Sequence, residues 1–125
     1  MKKILIIEDH ADMRELLTWQ VELMGFTALT AKHGSEGLER AQSETPDLII
    51  LDIMMPGMDG WQAARELKSN TVTKRIPILA ATALFRDTDL KTCMDSGCNG
   101  YIVKPFTFQE LQGKVRELLP AALPN

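Results

Sequence analysis

The sequence predicts an α/β fold with a parallel, doubly wound sheet, and three observations carry that expectation. Short apolar runs recur without polar alternation, as in Ile4-Leu5-Ile6-Ile7 and Leu48-Ile49-Ile50-Leu51, the pattern of strands buried on both faces. Segments with helical spacing separate these runs, and right-handed crossovers between parallel strands require helices on both sides of the sheet. The runs also end on residues that carry chemistry. Glu8 and Asp9 follow the first, Asp52 the run at 48–51, Thr82 follows Ile78-Leu79-Ala80-Ala81, and Lys104-Pro105 follows Tyr101-Ile102-Val103.

Taken in order, the first strand leads to Asp12, with Glu15 three residues later, a pairing that predicts an N-cap and capping box. Met13, Leu16, Leu17 and Met24 then keep a helical period up to a stop at Gly25. Residues 27–31 read as a weak edge strand, and residues 34–43 as a short helix with Leu38 and Ala41 inward. Pro46 leads the next strand, and a helix follows from about Gly60 to Ser69 with Trp61, Ala64 and Leu67 on one face. Pro77 opens the fourth strand, after which a helix carries Leu90, Cys93, Met94 and Gly97. Tyr101 to Val103 form the last strand, and Leu111, Val115, Leu118 and Leu119 stripe the last helix. The result is five β-α units within a domain at 1–119, followed by residues 120–125 as a tail or the start of a linker.

A chain of 125 residues holds one ordinary core. With 45% apolar and 25% charged residues it reads as a globular protein, and a formal charge of -3 gives no electrostatic reason for direct nucleic-acid binding. No apolar stretch approaches the length that spans a bilayer. Met1-Lys2-Lys3 leads into a strand rather than a signal-peptide core, so a cytoplasmic location is expected. Cys93 and Cys98 form no Cys-x-x-Cys pair and would face different directions on a helix, which fits reduced, structural thiols.

In an open parallel sheet the carboxyl ends of the strands line the ligand crevice. Three acids, one hydroxyl and one ammonium are thus expected to converge, a set suited to a phosphoryl group and a divalent cation. Three adjacent carboxylates repel one another unless a cation joins them, and magnesium takes a few carboxylates while keeping waters and phosphate oxygens. Asp59, just before Gly60 and the next helix, reads instead as an N-cap. His10 is placed at the mouth of the acid pocket, and a rim or surface position is expected for both His10 and His33.

Glu8-Asp9, Asp52 followed by Pro56-Gly57-Met58-Asp59-Gly60, Thr82-Ala83 and Lys104-Pro105-Phe106, in that order and spacing, resemble a two-component response-regulator receiver domain over the whole chain. The resemblance implies a flavodoxin-like (βα)5 sheet in the order 2-1-3-4-5, and a phosphorylation-activated switch. Asp52 would take a phosphoryl group as an acyl phosphate, in a reaction governed by positioning and charge neutralisation. Asp9 and Asp52 would bind Mg2+ directly, Glu8 through water, and Met54 through its backbone carbonyl. Lys104 would hold a phosphate oxygen, Thr82 would donate its hydroxyl after phosphorylation, and Tyr101 would turn inward as Thr82 moves. A cis bond between Lys104 and Pro105 is implied as well.

The implied donor is a sensor histidine kinase or histidine phosphotransfer protein, and the implied output is a protein target docking near Leu84, Tyr101 and Phe106. No nucleic-acid or membrane contact is expected, and catalysis is limited to self-phosphorylation and autodephosphorylation. Met54 and Leu84, both apolar, stand where the resemblance places control of water access, so they are expected either to shield the acyl phosphate and prolong the signal or to extend the partner surface. Asn99-Gly100 replaces the acidic residues found before the last strand in receivers that dimerise through their last two helices, which counts against that dimer. The chain reads as a stand-alone receiver or one cut from a longer regulator or hybrid kinase. Two alternatives compete. A phosphatase of the haloacid-dehalogenase type needs a second Asp where Met54 stands, and an unphosphorylated interaction module has no use for the acid pocket or Lys104.

Overall fold

In the computed structural model, β1 (Lys3–Ile7), β2 (Thr27–Ala31), β3 (Leu48–Asp52), β4 (Ile78–Thr82) and β5 (Gly100–Val103) form one parallel sheet in the order β2-β1-β3-β4-β5. The structure describes residues 2–53, 60–83, 91–92 and 94–119. Ile6 lies opposite Ile50, Ile50 opposite Leu79, and Leu79 opposite Gly100, while Asp52 at the tip of β3 pairs with Ala81. Flanking this sheet are α1 (Ala11–Leu23), α2 (Gly34–Glu44), α3 (Gly60–Ser69) and the last helix (Phe108–Leu118). Lys91, Thr92, Met94 and Asp95 are helical, as the expected helix between β4 and β5 requires. Leu90 and Cys93 of that helix lie outside the described residues, and Cys98 is buried.

Alternate strand residues feed two core layers. Leu5, Ile7, Ile49, Leu51, Ile78 and Ala80 meet Ala41 of α2 and Ala63, Ala64 and Leu67 of α3. On the other face, Ile4, Ile6, Leu48, Ile50, Leu79 and Ala81 meet Leu17 and Val21 of α1 and Leu111 and Val115 of the last helix. Because both faces are covered, every residue of β3 and β4 is buried, and the period-2 alternation of a half-solvated strand is absent. β2 has one neighbour only and stays half-buried for most of its length, as expected of an edge strand.

The start of α1 differs from the sequence expectation. His10, not Asp12, is the N-cap, and its side chain makes no capping bond. The backbone already turns helical at Ala11, and Arg14 N–H donates to His10 O at 2.9 Å, leaving Asp12 inside the first turn. An acid there still favours the helix N-terminus through the dipole. A reciprocal capping box occurs instead on the last helix, where Glu110 N–H donates to Thr107 Oγ1 at 3.1 Å and Thr107 N–H donates to Glu110 Oε1 at 3.0 Å. Gly25, with φ of +93°, ends α1 where expected. Among the described residues, no helix is long and apolar enough to cross a membrane.

Candidate functional site

The carboxyl edge of the sheet gathers the residues that end the strands. Glu8 N–H donates to Ala31 O at 3.1 Å, the last bond of β1 toward β2, and the chain then leaves the sheet. Asp52 terminates β3 and Thr82 terminates β4, and both are buried. Lys104 is brought in by β5, its N–H donating to Thr82 O at 2.8 Å. Its ammonium donates to Glu8 Oε1 at 3.0 Å and to Asp52 Oδ1 at 3.4 Å. Residues separated by as many as 96 positions thus share one set of hydrogen bonds. The Lys104-Pro105 bond is cis, as the resemblance implied.

Glu8 is almost fully enclosed. Burial alone would raise its pKa, but the hydrogen bond from His10 N–H at 3.1 Å and the Lys104 ammonium hold the carboxyl below its usual range. His10 stands at the rim with its ring exposed, Nδ1 lying 3.4 Å from Glu8 Oε2 and 3.3 Å from Asp9 Oδ1. This is the pocket-mouth position expected from the sequence. Ligand atoms of Glu8, Asp9, His10 and Asp52 all lie within 4.8 Å of one another. Asp9 Oδ1 is shut off from solvent and accepts no aligned hydrogen bond from the described residues, the His10 Nδ1 approach at 3.3 Å being a charge contact only when the imidazole is protonated. A desolvated carboxylate oxygen without an aligned donor is costly, and clustered carboxylate oxygens are the ligands a hard divalent cation takes. The residues present therefore fit magnesium.

Arg14, which the sequence did not single out, and Gly60 also shape the site. Arg14 Nη1 donates to Glu8 O at 3.0 Å and to Asp9 O at 3.3 Å, joining α1 to the loop that bears both acids. Gly60 opens α3 with its N–H donating to Ile53 O at 3.0 Å. A Cβ at Gly60 would collide with Ile53 Cα and stand 2.9 Å from Asp52 O, so only glycine lets α3 approach the strand tip this closely. Its position after a turn-rich segment was the sequence signal. Arg14 had none, since an arginine one turn into a helix ordinarily reads as a solvated charge.

Met54, Asp59 and Leu84 lie outside the described residues. Tyr101 is half-buried on β5 and packs with the α2–α3 core layer, with Lys114 Nζ 5.6 Å from its ring centroid. Phe106 packs against the α1 layer. Tyr101 and Phe106 thus pack against different core layers. A groove of about 320 Å³ runs between β5 and the last helix, lined by Tyr101, Val103, Gln109, Gly113, Lys114 and Glu117 among others.

Comparison with known proteins adds independent findings. A family model described as "Response regulator receiver domain" matches residues 4–116. The probable transcriptional regulator ycf27 of Cyanophora paradoxa is 38% identical over 118 residues, covering 94% of this chain and 48% of that protein. The transcriptional regulatory protein HprR of Escherichia coli is 41% identical over 117 residues, covering 94% of this chain and 51% of that protein. The chain therefore spans about half the length of such curated relatives. Among solved structures, the chemotaxis protein CheY4 of Vibrio cholerae superposes with a TM-score of 0.91 at 28% identity, covering 95% of this chain and 99% of that one. The receiver domain of sensor histidine kinase PA1611 from Pseudomonas aeruginosa, with a magnesium ion coordinated in its active-site cleft, gives a TM-score of 0.88 at 28% identity and covers 95% of this chain and 98% of that one.

Proposed function

The chain belongs to the response-regulator receiver family, phosphorylation-activated switches that take phosphoryl groups from histidine kinases, and from that premise we propose that Asp52 is its phosphoacceptor. A carboxylate oxygen of Asp52 attacks phosphorus while the bond from phosphorus to the donor nitrogen breaks, and the electron pair leaves with the donor imidazole. Glu8, Asp9 and Asp52 would hold Mg2+, with the Met54 carbonyl as a further ligand. When bound, that ion supplies positive charge to the transferring phosphoryl oxygens. Lys104 shifts its ammonium from the carboxylates to a phosphoryl oxygen, and Thr82 donates its hydroxyl to another. The domain is assigned to residues 1–119, with 120–125 as tail or linker. The donor is a sensor histidine kinase or a histidine phosphotransfer protein, and the groove beside Tyr101 is the proposed face for a downstream protein.

The observation that carries this reading is the Lys104 ammonium bridging Glu8 and Asp52, with the ligand atoms of Glu8, Asp9 and Asp52 within 4.8 Å of one another. Acetyl phosphate with magnesium is expected to label the protein once, at Asp52, and Asp52→Asn to abolish labelling without loss of the fold. Mass spectrometry showing undiminished phosphorylation of the Asn variant overturns the assignment. Asp9→Ala is expected to lose magnesium affinity by calorimetric titration, and unchanged affinity would remove Asp9 from the proposed ligand set.

A further inference from the structure

Consecutive residues of an extended strand send their side chains to opposite faces. Glu8 and Asp9 are consecutive, yet both carboxylates come within 4.8 Å of the ligand atoms of Asp52 and His10. The backbone must therefore rotate out of strand geometry directly after Ile7, the last residue of β1. A rotation of that kind turns peptide carbonyls out of the ladder, where they need donors of their own. One nitrogen, Nη1 of Arg14, donates to both of them, to Glu8 O at 3.0 Å and Asp9 O at 3.3 Å. Arg14 is itself fixed in the first turns of α1, its N–H bonded to His10 O at 2.9 Å. Among the described residues it makes no ion pair with a carboxylate, so its permanently charged, planar guanidinium is directed at backbone. A charged donor on a carbonyl is a strong hydrogen bond and tolerates little rotation of the peptide plane.

We propose that Arg14 is a positioning residue that locks the Glu8 and Asp9 peptides so that both carboxylates stay aimed at the cation site beside Asp52. The proposal rests on the reading that these acids hold magnesium for phosphorylation of Asp52. Arg14 touches neither ion nor phosphoryl group and acts through the loop alone. Removal of such an outer partner ordinarily lowers metal affinity by about 10–100-fold.

Arg14→Met keeps the stem and removes the guanidinium. Arg40→Met is a matched control, because Arg40 Nη1 on α2 likewise donates to a backbone carbonyl, Thr30 O at 2.8 Å, but not to the Glu8 or Asp9 carbonyl. Calorimetric titration with magnesium is expected to show about tenfold weaker binding for Arg14→Met and unchanged binding for Arg40→Met. Phosphorylation of Arg14→Met by acetyl phosphate is expected to lag at limiting magnesium and recover at saturating magnesium. Magnesium affinity within twofold of wild type in folded Arg14→Met overturns the proposal, and so does an equal loss in Arg40→Met, which would reveal general loosening. If Arg14→Met does not fold, Arg14→Lys serves in its place, with a smaller loss expected and the same twofold criterion. A wild-type protein that neither binds magnesium nor accepts the phosphoryl group refutes the phosphoacceptor reading itself, before Arg14 is tested.

Discussion

Lys104 pairs with both Glu8 and Asp52 and keeps 20% of its side chain exposed. Breaking a fully buried ion pair by removing one partner costs roughly 3–5 kcal/mol. With this partial exposure, Lys104→Met is expected to cost about 2 kcal/mol in metal-free urea unfolding. Added magnesium is expected to restore more stability to the variant than to wild type, since cation and ammonium compete for the same oxygens. Equal recovery in both would argue against that competition. Glu8 gives a pH dependence with a defined sign. Its folded pKa lies below the ordinary value of 4.5, so its contribution is complete above pH 4.5 and is lost as pH falls through the lower folded value. Unfolding free energies measured without magnesium from pH 6 to 3 should therefore fall less steeply for Glu8→Gln than for wild type. At this scale the sequence revealed Glu8, Asp9, Asp52 and Lys104 because each ends an apolar run. Arg14 stayed hidden because its role depends on how far a flexible stem reaches back along a helix, which residue spacing does not encode.

At the level of elements, two helical glycines have opposite meanings. A Cβ on Gly37 would run into the Ile7 side chain, whereas one on Gly113 meets nothing within 4 Å. Gly113→Ala should therefore raise stability by about 0.8–1 kcal/mol, the ordinary propensity difference, while Gly37→Ala should lower it by forcing Ile7 aside. Thermal unfolding of the pair checks both signs. Thr107→Ala should cost about 1 kcal/mol through loss of the reciprocal cap. The caps also show where pattern reading fails. Asp12 and Glu15 satisfy the capping spacing, but the chain has already turned at Asp9 and His10 to present the acids, and the helix begins on that turn. Thr107 and Glu110 carry the same spacing without such a conflict, and there the box forms. The strands and helix stripes were legible because burial on both sheet faces leaves a simple apolar record.

For the whole molecule, the alternation of strands and helices was readable from periodicity, while the order β2-β1-β3-β4-β5 came from family resemblance and was then observed. Local spacing does not encode which side of β1 the chain crosses to. That choice depends on how helices share the two faces, a property of the assembled layers. The packing of the aromatics was least legible, since Tyr101 and Phe106 are close in sequence but pack against different layers. The parallel sheet has a practical consequence. Glu8, Asp9, Asp52 and Lys104 sit at its carboxyl edge, and a strand of five residues holds the opposite edge roughly 16 Å away. The turn at 70–76 that feeds β4 lies on that far edge, with Val72 55% exposed. A fluorophore or immobilisation handle attached at Val72 would leave the acid crevice open, making this the natural tethering point for a biosensor that must still be charged by its donor.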